Sequence, residues 1–276
     1  MVKQIISIVL TTLLLTGCEV IKEKDRLIPV PVGDGSKTHL LVEYTGFRCV
    51  NCPTAAQTAQ DLQRIYGDKL VVVAMHPASN PFTQGAFDYT CPEADICYKH
   101  MGGNASTPFP TGNIDLAQGD GEWFFDPIEW ATCLLQNDDN LFCPALKAQA
   151  TVDTITRKVH FTISAVAFDH TEARLAIWLT EDSVMGAQAM PDGSVETAYY
   201  HRHMLRGAVQ GKPFGWDVEI SFTPQRFIAD YTLPDQWNIH HCHAVVLLLD
   251  RDNYKVLQTY ETKLDGSSPV AALRER

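Results

Sequence analysis

Two apolar runs joined by one helical stretch limit the fold of this chain more than any other feature of its sequence. Residues 40–44 and 70–75 are runs of mostly apolar side chains, as is typical of strands buried on both faces. Between them, residues 49–66 favour a helix, and Gly67 suits its C-terminal cap. The sequence therefore predicts a right-handed β-α-β unit with two parallel strands.

Cys49 and Cys52 lie in the segment CVNCP, between the first predicted strand and the helix. This spacing fits a redox-active dithiol, half of a zinc site or a permanent disulfide. A thiolate attacks a disulfide, and the positive end of the helix together with Arg48 would lower the pKa of Cys49. Cys52, one turn further, is placed to resolve a mixed disulfide. Zinc is disfavoured, because it needs about four ligands and no second pair lies nearby in the sequence.

Residues 41–52 resemble the active-site segment of thioredoxins, in which a buried strand leads to Cys-X-X-Cys at the start of a helix. The resemblance implies that Glu43 is a buried acid that moves protons to and from Cys52. The Val50-Asn51 dipeptide and Pro53 depart from the thioredoxin pattern.

The same resemblance implies a cis-proline opposite the dithiol. Pro110, which is followed by Thr111, matches that proline, and Pro108 is the rival position. The predicted catalytic residues are Cys49, Cys52, Glu43 and Pro110.

After Pro144 the apolar residues follow an alternating period instead of a helical one. In residues 159–165 every second residue is apolar, as in strands with one buried face, and the apolar Leu175, Ile177 and Leu179 also take alternate places. Repeated strands of this kind predict an antiparallel sandwich over residues 145–276, after an α/β part over residues 38–144.

The N-terminus has the pattern of an export signal over residues 1–17, with Lys3 followed by an apolar stretch. The segment LTGC, which ends at Cys18, resembles the lipobox of bacterial lipoproteins. That resemblance implies cleavage before Cys18 and acylation of this residue, which would anchor the protein to a membrane. The polar residues 18–37 are predicted to form a flexible tether.

Export places the cysteines where disulfides persist. Besides Cys49 and Cys52, four cysteines form two close pairs in the sequence, although other connectivities are open. The simplest hypothesis is two structural disulfides, Cys91 with Cys97 and Cys133 with Cys143.

Four histidines form a candidate metal site. His201 and His203 share one face of a predicted strand over residues 197–205, and His241 and His243 share one face of another. Neighbouring strands would bring these imidazoles together for a transition metal. The favoured interpretation is that they are polar positions on a sandwich surface, so we expect no metal.

Several further segments resemble, in their order, the family of 28-kilodalton outer membrane lipoproteins; they are GDKLVVVAMH, FPTG, WLTED, YYHRHMLRG and VLQTYE. The resemblance implies an outer membrane location with a lipid anchor. It also implies the fold class: an α/β thioredoxin-like domain, residues 38–144, followed by an all-β immunoglobulin-like sandwich, residues 145–276.

Two hypotheses about function follow. The first is thiol–disulfide exchange on envelope proteins, and the second is a surface binding protein in which the 49/52 disulfide is structural. The net charge of −11 excludes nucleic acid as a partner. No phosphate-binding glycine loop or Ser/His/Asp signature stands out, so we expect no cofactor.

Overall fold

A computed structural model of the chain describes residues 36–137 and 143–264. The predicted signal, Cys18 and the predicted tether as far as residue 35 lie outside the described residues. Within them the helices are α1 (Cys52–Tyr66), α2 (Pro92–His100) and α3 (Trp130–Gln136). The strands there are β1 (His39–Tyr44), β2 (Leu70–Met75), β3 (Thr111–Ile114), β4 (Ala145–Asp153), β5 (Lys158–Val166), β6 (Thr171–Glu181), β7 (Val184–Ala189), β8 (Val195–His201), β9 (Met204–Ala208), β10 (Trp216–Ile220), β11 (Gln225–Thr232), β12 (Cys242–Asp250) and β13 (Val256–Lys263).

The predicted β-α-β unit is confirmed. β1 and β2 pair in parallel, β3 pairs antiparallel with the other edge of β1, and every residue of the three strands is buried. The helix begins at Cys52 and not at Cys49 as predicted. Asn51 is its N-cap residue, and the Asn51 carbonyl accepts hydrogen bonds from the N–H groups of Thr54 and Ala55. Pro53 fits the first turn, where an N–H has no partner within the helix.

The sheet that contains these strands continues into the second half of the chain, in the order β13-β12-β6-β9-β2-β1-β3, with β10 also paired to β6. Its two parts meet through a single residue pair, Ala74 of β2 with Met204 of β9. The Ala74 N–H also donates to the His203 carbonyl at 2.8 Å. The protein is thus mixed α/β with a large β portion, and the domain boundary near Pro144 stays a prediction.

Strand β6 shows how the layers stack. Leu175 and Ile177 pack with Phe161 of β5, in the core beneath the three-stranded sheet β11-β5-β4. Trp178 packs on the opposite face, in the core that includes Tyr98 of α2. Helices α1 and α3 cover the other face of β1 and β2. Two apolar cores and a helical layer therefore surround one central sheet.

Strands β7 and β8 form a separate hairpin, with register pairs from Val184 with His201 to Ala189 with Val195. The single strand predicted over residues 197–205 is wrong, because β8 ends at His201 and β9 begins at Met204. His203 lies between them with a left-handed φ of 52°, which breaks the extended backbone.

A buried ionic cluster closes the N-terminal end of β1. Lys37 and His39 both contact Asp115 Oδ2, with Lys37 Nζ at 2.8 Å and His39 Nδ1 at 2.7 Å. The N–H of Leu40 donates to Asp115 Oδ1 at 2.9 Å. Lys37, which we had placed in the flexible tether, is therefore held inside the fold.

Candidate active site

The Cys49 and Cys52 side chains form a disulfide with an S–S distance of 2.11 Å. It joins the turn that follows β1 to the first residue of α1. The N–H of Cys49 donates to the Gly46 carbonyl at 3.0 Å, and the N–H of Cys52 donates to the Cys49 carbonyl at 3.3 Å. Both cysteines are buried, with exposures of 1% for Cys49 and 2% for Cys52.

The β7–β8 hairpin holds the cysteine turn in place. Gln188 Nε2 donates to the Cys49 carbonyl at 2.9 Å, and the N–H of Ala189 donates to the Phe47 carbonyl at 2.7 Å. Gln188 is itself buried. We did not predict this residue from the sequence, where it is one polar side chain among many.

Pro110 lies directly before β3, which pairs with β1. The Phe109–Pro110 peptide bond is the cis bond among the described residues, so Pro108 is excluded from this position. Thr111, the next residue, pairs with Tyr44 at the end of β1. Pro110 and Asn51 line the same surface cleft, which places the proline next to the cysteine turn.

Glu43 is buried on the α1 face of β1, and its Oε1 has no hydrogen-bond partner among the described residues. Burial raises the pKa of Glu43 from 4.5 to about 8. Glu43 and Cys52 line one small cavity of ≈ 40 Å³, together with His76 and His201. One water needs about 10–15 Å³, so the cavity has room for water.

His76 is a site residue that sequence reasoning missed. It follows β2 directly and is buried, and neither ring nitrogen has a hydrogen-bond partner within the described part of the chain. Burial, and then the nearby His201 and Arg206, lower the pKa of His76 to about 3. The strand period could have found it, because alternate residues Ala74 and His76 share a face.

The candidate metal histidines do not form one group. His201 is buried, its Nε2 lies 3.3 Å from the Ala187 carbonyl, and burial lowers its pKa to about 4. His203 does not share a strand face with His201, because the left-handed residue 203 follows the end of β8. His241 lies in a short 3₁₀ turn, Ile239–His241, before β12 and not on the strand.

His203 and His243 instead meet at Asp182. The distances are 3.5 Å from His203 Nδ1 to Asp182 Oδ1 and 3.6 Å from His243 Nε2 to Asp182 Oδ2. His243 Nδ1 also lies 3.4 Å from Glu261 Oε1. Within residues 36–137 and 143–264, no group of three or more His, Cys, Asp or Glu side chains is arranged to hold a metal.

The further disulfides expected from cysteine spacing are absent from the structure, in which Cys91, Cys97 and Cys133 are thiols. The Cys91 Sγ donates to the Leu205 carbonyl at 3.6 Å, and Cys97 is fully buried in the core beneath α2. Burial raises the pKa of Cys91 to about 12, which makes it a poor nucleophile. Because Cys133 is a thiol, the disulfide predicted between Cys133 and Cys143 is not formed.

The fold and the site define a mixed α/β protein that carries a Cys-X-X-Cys disulfide between a buried strand and a helix. A family model described as outer membrane protein Omp28 matches residues 105–268. The chain belongs to this family. Membership supports a place in the outer membrane or cell envelope, and none of the described helices is long and apolar enough to span a membrane.

The chain is similar to two solved structures, of which the first supports the fold. HBP35 of Porphyromonas gingivalis has 15% sequence identity and a TM-score of 0.64, over 86% of this chain and 78% of that one. A domain of the outer membrane lipoprotein Omp28, also from Porphyromonas gingivalis, has 18% identity and a TM-score of 0.33, over 44% of this chain and 88% of that one. No curated protein sequence matches the chain.

Proposed function

We propose that this chain catalyses thiol–disulfide exchange on proteins of the cell envelope, with Cys49 as the attacking residue and Cys52 as the resolving residue. The observation that carries the proposal is the cavity in which Cys52 meets the buried, unpartnered Glu43. The cis peptide bond before Pro110 lies beside the same turn. A disulfide that served only as a staple needs no proton acceptor next to it.

The strand arrangement supports the same proposal. A parallel β1-α1-β2 unit, with β3 antiparallel on β1 and a cis-proline directly before β3, is the arrangement expected from the thioredoxin resemblance. In this proposal the first half is a thioredoxin-like domain and the second an immunoglobulin-like sandwich. The chain is an outer membrane lipoprotein anchored through Cys18, and the sandwich recognises the partner or holds the redox domain off the membrane.

The reaction balances as two sulfur displacements. The Cys49 thiolate attacks a substrate disulfide, which forms a mixed disulfide and releases one substrate sulfur as a thiolate. The Cys52 thiolate then attacks the Cys49 sulfur, which forms the Cys49–Cys52 disulfide and releases the second substrate thiolate. The substrate gains two electrons and the protein loses two; the reverse sequence oxidises the substrate, and the reduction potential sets the direction.

The test compares insulin reduction and disulfide isomerisation by the wild type and two variants. Cys49→Ser is expected to abolish both activities, and Cys52→Ser to accumulate a mixed disulfide with the substrate. Cys242→Ser is the matched control, because Cys242 is another buried cysteine, placed at the start of β12. A Cys49→Ser protein with wild-type activity would rule the proposal out.

One observation favours the alternative, a binding lipoprotein with a structural disulfide. Both cysteines are buried and the hairpin holds their turn. A structural disulfide of an exported protein has a reduction potential below about −300 mV and resists mild reductant. Equilibration of the Cys49–Cys52 bond with glutathione buffers separates the two functions.

A further inference from the structure

His76 occupies a place that the apolar core does not explain. Glu43 pairs with Ala74 across the parallel strands, so their side chains share one face of the sheet. His76 lies two residues beyond Ala74 and lines the same cavity, next to Cys52. Because the Ala74 side chain is a single methyl group, space remains between the carboxyl group and the imidazole.

The polar atoms around this space are uncompensated. Within the described residues, Glu43 Oε1 and both His76 ring nitrogens have no hydrogen-bond partner. Buried polar groups are almost always hydrogen-bonded to protein or to ordered water. A cavity large enough for water, with an acid, an imidazole and a cysteine on its walls, supplies the missing partner.

We propose that His76 is a positioning residue for thiol–disulfide exchange: its neutral imidazole orients a water through which the Cys52 proton passes to Glu43. The inference rests on the proposed function, and it names the residue that positions the water between Cys52 and Glu43. The water accepts the Cys52 S–H proton and transfers a proton to the Glu43 carboxylate. Its other hydrogen stays on the water and forms a hydrogen bond to His76. Glu43 ends protonated and Cys52 becomes the thiolate that attacks the Cys49 sulfur.

The acid–base properties of the two groups suit different roles. The pKa of Glu43, about 8, lies near that of an ordinary thiol, so the carboxylate can take the proton at little cost. The pKa of His76, about 3, keeps the imidazole neutral at any pH at which the protein works. His76 therefore holds the water without competing for the proton.

The other groups that face His76 are consistent with a neutral imidazole. The centroids of the His201 and Tyr89 rings each lie 5.8 Å from the centroid of the His76 ring. Arg206 on β9 adds a positive charge that opposes protonation of His76. The titratable groups on the elements packed around the cavity, besides His76 itself, are Glu43 (β1), Cys52 (α1), Tyr199, Tyr200 and His201 (β8), and Arg202 and His203 in the turn that follows.

The experiment separates the two sulfur displacements. The reduced full chain is mixed with 5,5′-dithiobis(2-nitrobenzoate), and nitrothiobenzoate release is followed by absorbance from pH 6 to 10. The first release reports attack by Cys49, and the second reports attack by Cys52 on the mixed disulfide. In the wild type the second rate is expected to rise with pH.

His76→Phe is expected to slow the second release by about tenfold to a hundredfold, as misplaced reacting groups do, and to leave the first unchanged. His76→Gln, which keeps a hydrogen-bond acceptor, is expected to restore the rate to within about threefold of the wild type. Ala74→Val keeps the imidazole but fills the cavity, so it should slow the second release as His76→Phe does. This variant also covers the case in which His76→Phe does not fold.

The two proposals fail in different ways. If no first release occurs at Cys49, the proposed exchange function is wrong. If the first release is normal and the second is equally fast in the wild type, His76→Phe and Ala74→Val, the function stands and the role of His76 is wrong. Equal slowing by His76→Phe and His76→Gln also overturns the role, because it shows that shape matters and hydrogen bonding does not.

Discussion

A buried carboxyl group lies near each end of strand β1, and the two have opposite surroundings. Asp115, at the N-terminal end, receives contacts from Lys37, His39 and the Leu40 N–H. Burial alone would raise the pKa of Asp115, but the His39 hydrogen bond and the Lys37 charge outweigh it and lower the pKa. Glu43, near the other end, has no such partners, and burial raises its pKa.

The difference separates structure from chemistry. A buried network whose charges are paired fixes side chains in one arrangement. A buried acid without partners destabilises the fold when it ionises. Its raised pKa, however, lies in the range where the acid exchanges protons with thiols. In the proposed function, the Asp115 cluster closes the fold and Glu43 serves the disulfide.

The largest effect is expected at Asp115. Asp115→Ala removes the carboxylate that the buried Lys37 ammonium contacts, and breaking a buried pair in this way costs about 3–5 kcal/mol. Urea unfolding at pH 7 measures the loss of unfolding free energy.

The chain offers a matched control on its surface. Asp230 also pairs with a lysine and a histidine, with Lys158 Nζ at 3.0 Å and His160 Nδ1 at 2.7 Å. Because Asp230 is solvent-exposed, Asp230→Ala is expected to change the unfolding free energy little. Equal losses in both variants would show that burial does not distinguish the two clusters.

A pH series tests how Glu43 affects stability. Between pH 4.5 and about 8, folded Glu43 keeps a proton that the unfolded chain has lost, so stability falls as pH rises through this window. The fall is up to about 1.4 kcal/mol per pH unit, and Glu43→Gln removes it. Urea unfolding of the oxidised wild type and variant at pH 5 to 9 measures the divergence.

The pH dependence of stability that Asp115 contributes has the opposite sign. Its lowered pKa gives a stabilisation that is present above 3.8, the ordinary value, and is lost as pH falls further. A constant difference between wild type and Glu43→Gln across the series would mean that Glu43 is not the uncompensated acid described here.

Local patterns in the sequence were enough to predict the first half of the site. Cys49, Cys52 and Glu43 follow from one continuous segment, and the cis bond at Pro110 follows from the thioredoxin resemblance. The alternating period also predicted β5 and β6. These features depend on neighbours in sequence, which is why a single chain reveals them.

Contacts between residues far apart in the chain could not be predicted from the sequence. Gln188 reaches Cys49 across 139 residues, and no local period connects a hairpin to a turn so distant. The prediction that His201 and His203 share a strand face is wrong, because a left-handed residue follows the end of β8 and no glycine marks it. The disulfide prediction for Cys91 failed because spacing does not show that its thiol faces Leu205.

The smallest effect concerns Gln188, the hairpin residue that bonds to the cysteine turn. Gln188→Ala removes the side-chain hydrogen bond to the Cys49 carbonyl, worth about 1 kcal/mol, so the turn opens more often. We expect dithiothreitol to reduce the Cys49–Cys52 bond about fivefold faster, as followed by alkylation and mass spectrometry. Gln225→Ala is the control, because that exposed amide bonds only locally, to Thr223. An unchanged rate in Gln188→Ala would mean that the turn opens without release of the hairpin.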